Sequence, residues 1–167
     1  MSARKRAVPG PVTVWDFVDE FLVVCPSCSE RAVVASAAAS RPPRLACARC
    51  GLSREWKSDR RGVLTSGRAS TWPTGQYAIG DSADPYFHLP LWLQAPCATR
   101  VLWAFNARHL AFLRDYVSAT DRRTVGATPR DPRNALLASR LPRWLKLAKN
   151  RSTVLRTITR LEGKLGA

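Results

Sequence analysis

Hydrophobic residues along this chain repeat first with the period of strands and then with that of helices. The run VTVWDFVDEFLVV at 12–24 is β-branched and aromatic and predicts a strand leading straight into Cys25. RAVVASA at 31–37 and RLACARCGLSREW at 44–56 predict a second and a third strand, joined across a small-residue loop that contains Pro42 and Pro43. From Lys57 to Asp84 the chain is polar, with Gly62, Gly67, Pro73, Gly75 and Gly80, the pattern of an irregular connector. LPLWLQ at 89–94 and VLWAF at 101–105 are apolar on both faces, and with APCATR between them they predict a buried β-hairpin.

The period then lengthens. Asn106 is placed to cap a helix over 107–122, in which Leu110, Leu113 and Val117 share one face. Beyond a Pro-containing loop at 123–133 the pattern stays helical, with breaks expected at Pro142 and around Asn150 to Ser152. In a final helix over 152–165, Val154, Ile158, Leu161 and Leu165 form an apolar stripe, and Arg156, Arg160 and Lys164 recur at i+4 on the opposite face. The expected class is α+β: a β-hairpin module at 11–58, a connector at 59–84, and a hairpin plus basic C-terminal helices at 85–167.

Composition narrows the function classes. The 167 residues are 46% hydrophobic with six tryptophans, enough for one ordinary core or a small module beside a larger one. Pro, Arg or Asp interrupts every apolar stretch well short of the roughly 20 residues that span a bilayer. The N-terminal MSARKRAVPG is basic without the apolar segment of a secretion signal, so a cytoplasmic location is expected, with no membrane partner. Thiols stay reduced there. Five cysteines, four of them in C-x-x-C pairs, then argue for metal over disulfides.

The formal net charge of +15 points to a polyanionic partner, although an Arg-rich composition can also track a GC-rich genome. The charge is uneven: +6 over residues 41–70, −1 over 71–121 and +10 over 122–167.

The pattern CPSC, eighteen residues, CARCG has the spacing of structural zinc sites. Two C-x-x-C turns at hairpin ends bring Cys25, Cys28, Cys47 and Cys50 within reach of one ion. Four protein ligands leave no open position for water or substrate, so one structural zinc is expected rather than a catalytic one. A dithiol redox pair, an iron–sulfur cluster and four unligated thiols are the competing readings; the redox pair lacks its usual βαβ context. Arg44 and Arg49 stand close enough in sequence to favour thiolates, or they are solvated surface charge.

Residues 20–56 look like a zinc ribbon of the kind found in transcription and translation proteins. DPYFHLPLWLQ, LWAFNARHL and SRLPRWLKLAKNR, between 84 and 151, resemble a group of bacterial zinc-ribbon proteins of unassigned function. That resemblance implies the fold class and the four-cysteine ligand set, and it brings no activity with it. Such proteins can carry further Cys or Gly in the segment matching APCATR; here Cys97 stands alone, which argues against a second metal site.

Other candidate groups have plain structural readings. Cys97 with His88 gives too few ligands for a site, and Cys97 suits a small turn or core position. His109 has no nucleophile and acid to work with. Asp81 and Asp84 lie in DSADP, ordinary turn chemistry. Trp92, Trp103, Phe105 and Trp144 can stack on bases, but their apolar neighbours favour core packing. No catalytic set assembles, so a non-enzyme is expected. The function expected is nucleic-acid binding, to DNA or RNA, through Arg44, Arg49, Lys149, Arg156, Arg160 and Lys164, the last four within about 80° of one another on an unbroken helix. The alternative is an adaptor whose ribbon docks on a protein partner.

Overall fold

Where short strands pair, which side chains share a face follows from register. In the computed structural model, which describes residues 12–35, 42–57, 82–119 and 137–166, Glu20–Val24 (β1) and Arg31–Ala35 (β2) form an antiparallel hairpin. Arg44–Ala46 (β3) pairs with β2 and Ser53–Glu55 (β4) with β3, giving the sheet order β1-β2-β3-β4. Phe21, Val34 and Leu45 stand in one row, all buried, while Glu20, Ala35, Arg44 and Glu55 form an exposed row on the opposite face. Slipping one residue would expose the apolar row, so burial on one side fixes the pairing.

The outer edge of β1 is covered by residues 90–92, through Val24 N–H to Pro90 O and Trp92 N–H to Leu22 O, both 2.9 Å. Asp84 holds the turn before that segment. Its buried carboxylate accepts from the N–H groups of Tyr86 (2.9 Å), Phe87 (2.8 Å) and Leu89 (2.7 Å). The turn chemistry expected of DSADP is therefore present at Asp84, while Asp81 and nearly all of the expected connector lie outside the described residues. Tyr86 meets Phe21 and Trp56 edge-on at 6.0 and 5.7 Å. Asp19–Trp92 is one of two compact units.

Residues up to Val18 and Leu93–Ala167 make the other. Leu93–Cys97 (β5) and Arg100–Ala104 (β6) form a hairpin closed by Ala98 and Thr99, with Ala98 left-handed at φ 54 as tight hairpin turns require. Ala107–Ser118 (α1) follows, then the short helices Leu137–Arg140 (α2) and Arg143–Lys146 (α3), and finally Arg151–Gly163 (α4). Asn106 caps α1 as expected, its Oδ1 accepting from His109 N–H at 3.0 Å. Leu110, Leu113 and Val117 are buried on α1; Val154, Ile158 and Leu161 are buried on α4. The two helices pack together, and Arg114 of α1 forks onto the Glu162 carboxylate of α4.

Four local expectations are corrected. Residues 12–24 are not one strand: Val14–Phe17 is a 3-10 turn, because Asp16 Oδ2 accepts from both Thr13 N–H (2.7 Å) and Thr13 Oγ1 (2.9 Å). The expected third strand is two, β3 and β4, because the second cysteine pair folds into a turn between them. The hairpin strand expected at 89–94 lies at 93–97 instead. Pro96 is tolerated there because an edge position needs no N–H donor. Of residues 89–92, expected to open the second hairpin, 90–92 pair with β1 in the first unit. Among the described residues no helix is long and apolar enough to cross a membrane.

Candidate metal centre

The β1–β2 and β3–β4 hairpins each turn on a C-x-x-C pair, and the two turns share their backbone hydrogen bonds at an offset of 22 residues. Cys25 O accepts from Ser29 N–H (2.9 Å) and Cys25 N–H donates to Glu30 O (2.7 Å). In the second turn Cys47 O accepts from Gly51 N–H (3.0 Å) and Cys47 N–H donates to Leu52 O (2.8 Å). Ser29 and Gly51 occupy equivalent left-handed positions, at φ 62 and 75. A Cβ on Gly51 would meet nothing within 4 Å, so backbone conformation and not space favours glycine there. The first cysteine of each pair is buried, whereas Cys28 is half-buried and Cys50 exposed.

Strand register brings the turns together. All four sulfurs lie within 4.8 Å of one another, with Cys25 to Cys50 and Cys28 to Cys47 each at 3.7 Å. An ion at about 2.3 Å from each sulfur requires sulfurs about 3.8 Å apart at the corners of a tetrahedron. A disulfide would need about 2.05 Å. The cluster therefore fits one tetrahedrally held metal, with all four positions supplied by the chain. Bound there, the ion would tie the two hairpin turns together.

A cation would also favour the thiolate forms. Burial raises the Cys25 thiol, but the N–H groups of Ser27 and Cys28 and the sulfurs of Cys28 and Cys47 outweigh it and bring the pKa from 9.0 to about 7. At Cys28 the Glu30 N–H acts downward, while burial and the sulfurs of Cys50, Cys25 and Cys47 push the thiol up to about 12. Cys25 ionises more readily than an ordinary thiol, while ionisation of Cys28 is opposed by the sulfurs beside it. A central cation removes that opposition.

Cys97 is buried at the end of β5, outside the cluster, and His88 is exposed. His109 is core: Phe17 stacks on it at 5.2 Å, and its Nδ1 accepts from Phe105 N–H at 3.2 Å. Nε2 then carries the proton, with no hydrogen-bond partner among the described residues, and burial lowers the pKa from 6.5 to about 4.

The basic residues fall in several places. Arg44 donates to Ser53 Oγ on the sheet, and Arg49 is exposed between the cysteines of the second turn. Lys149 sits on a separate 3-10 turn, Ala148–Asn150, so the expected unbroken helix does not include it. Arg160 Nη2 donates to Pro96 O (2.9 Å) and Lys164 Nζ to Gln94 O (3.5 Å). Four helical residues rise about 6 Å and two strand residues about 6.7 Å, so a cation at every i+4 step meets an outward carbonyl at every second residue of β5. These side chains cover a sheet edge. Arg156, one step earlier, donates only weakly, to Thr153 Oγ1 at 3.4 Å, and stays exposed.

Sequence reasoning missed the 3-10 turn and with it the exposure of Trp15; the signal was present as the Thr-x-x-Asp capping pattern of TVWD. Comparison with protein-family models, with curated proteins and with solved structures finds no match to this chain.

Proposed function

We propose that this chain is a non-catalytic zinc-ribbon protein that binds nucleic acid through the unit that does not hold the metal. Zinc is assigned because four thiolates in a closed tetrahedron suit a borderline-soft ion with no redox role. The observation that carries the nucleic-acid reading is the segregation of charge. Residues 1–18 and 93–167 hold eighteen basic against five acidic side chains (+13), while residues 19–92 hold nine against seven (+2). Zinc on four thiolates adds −2, which leaves the metal unit near neutral.

The contacts are assigned to Arg108, Arg143, Lys149 and Arg156, all exposed on the charged unit. Arg160 and Lys164 serve the β5 edge first, and Arg44 and Arg49 belong to the near-neutral unit. The test is a salt titration of binding to a labelled duplex and to single strands. Log K should fall linearly with log salt, and Lys149→Gln with Arg156→Gln should make the duplex slope shallower by about 2 units, at roughly 0.9 per phosphate contact. Absence of binding at low salt overturns the reading.

One observation favours the adaptor reading. Among the described residues β4 ends its sheet with all three side chains exposed, on the near-neutral unit, an edge of the kind on which a partner strand can pair. On that reading the ribbon carries the interaction, and substitutions in α4 leave it unchanged.

A further inference from the structure

We infer that Cys50 is an oxidation site through which peroxide converts the four-sulfur cluster into disulfides between the two turns and releases its ion; the inference rests on the metal reading above and not on the nucleic-acid reading. The two C-x-x-C turns share their backbone hydrogen bonds and differ in what they expose. Cys25 and Cys47 are buried, at 1% and 3% exposure, and Cys28 is half-buried, so Cys50 alone of the four is exposed. Ala48, Arg49 and Gly51 around it are exposed too, and a Cβ on Gly51 would meet nothing within 4 Å, so the approach is open. The second turn carries Arg49 and Leu52 where the first carries Ser27 and Glu30, which puts the exposed sulfur in the more positive turn. Exposure and positive surroundings are what make a cysteine reactive toward oxidants.

Strand register supplies the second sulfur. Cys25 Sγ lies 3.7 Å from Cys50 Sγ, and Cys28 Sγ lies 3.7 Å from Cys47 Sγ, each pair reaching from one turn to the other. A disulfide is about 2.05 Å long, so either pair closes with a shift of about 1.7 Å shared between two side chains. Buried Cys25 is shielded from the oxidant, yet it stands in place to attack Cys50 once that sulfur has been oxidised.

Hydrogen peroxide is the oxidant. The Cys50 thiolate attacks one peroxide oxygen; an S–O bond forms, the O–O bond breaks and hydroxide leaves, giving a sulfenic acid. The Cys25 thiolate then attacks the Cys50 sulfur; an S–S bond forms, the S–O bond breaks and a second hydroxide leaves. Two thiolates have lost two electrons and the peroxide has gained them. With two of its four donors consumed the site no longer closes a tetrahedron, and the ion is released. Cys28 and Cys47 follow by the same route. The new bond joins residues 25 positions apart, so the two hairpin turns stay tied when the ion has gone. A disulfide within either C-x-x-C pair would leave them untied.

The test uses the full chain loaded with zinc. Metal content is measured first; hydrogen peroxide is then added beside a chromogenic zinc chelator, and disulfides are mapped by mass spectrometry after alkylation. One ion per chain should be released when peroxide is present, with Cys25–Cys50 the first linkage and Cys28–Cys47 the second. A thiol reductant with added zinc should restore the loaded chain. Cys97→Ser should behave as the parent, because Cys97 lies outside the cluster. Cys50→Ser should lose the peroxide-driven release, and should that variant fail to load zinc, the linkage map of the parent decides. Amides of β1 and β2 should exchange more slowly in the oxidised, metal-free chain than in the reduced, chelated one. Zinc retained under peroxide, unchanged release from loaded Cys50→Ser, a first linkage within one C-x-x-C pair, or equal exchange in the two metal-free forms would each overturn the inference and leave the metal reading standing. A parent that holds no zinc overturns both.

Discussion

The two units reach order by different means. The metal unit has strands of three to five residues whose buried row is Phe21, Val34 and Leu45, and four cysteines that join its two hairpin turns. The charged unit has helices of 12 and 13 residues packed on each other, with Leu110, Leu113, Val154, Ile158 and Leu161 all fully buried. In the first, ligand bonds to an ion held by the four cysteines would substitute for apolar area that such short strands do not bury. In the second, a packed helical core tolerates the self-repulsion of +13. The four cysteines and most of the net charge thus fall in different units, and the net charge of a unit says nothing of what stabilises it.

The strongest way to break this comparison is to remove the metal. Chelation, or Cys28→Ser or Cys47→Ser, should unfold residues 19–92, since structural zinc contributes about 10–16 kcal/mol of apparent binding free energy that becomes folding free energy. Amide exchange in α1 and α4 should stay slow. Cys97→Ser should leave metal content at one ion per chain. If α1 and α4 lose protection together with the ribbon, the units are not separately stabilised.

Acid should act on the charged unit through His109. Its folded pKa of about 4 lies below the ordinary 6.5, so the unfolded chain takes up the proton first as pH falls. The contribution is present in full above pH 6.5, is lost progressively down to about 4, and does not fall further below that. The loss amounts to about 3 kcal/mol, at 1.36 kcal/mol per pKa unit. His109→Gln, which keeps an acceptor for Phe105 N–H without titrating, should flatten the pH dependence of α1 exchange. An unchanged profile would place the acid sensitivity elsewhere.

The smallest effect separates structural from binding cations. Arg160→Gln with Lys164→Gln should destabilise the charged unit by about 1 kcal/mol through the uncovered carbonyls of Gln94 and Pro96, a modest figure because both contacts are solvent-accessible. Lys149→Gln with Arg156→Gln should leave the melting temperature unchanged. Equal destabilisation by the two pairs would remove the distinction.

The sequence by itself determined the ligand set, since two C-x-x-C turns at fixed spacing admit one tetrahedral closure, and it determined which faces of α1 and α4 are apolar and that Asn106 starts α1. These are local properties: a period or a cap is decided within one or two turns of chain. Only the tertiary structure decided that the i+4 cations of α4 meet a strand edge, because Arg160 and Pro96 are 64 residues apart and Lys164 and Gln94 are 70. Folding likewise joined the 3-10 turn to the start of α1, through Asn106 and Phe17, which are 89 residues apart, although TVWD already carried the capping pattern. A charged or aromatic side chain reads the same in sequence whether its donors or its ring face solvent or a neighbour. Which of these it does depends on what distant chain arrives beside it.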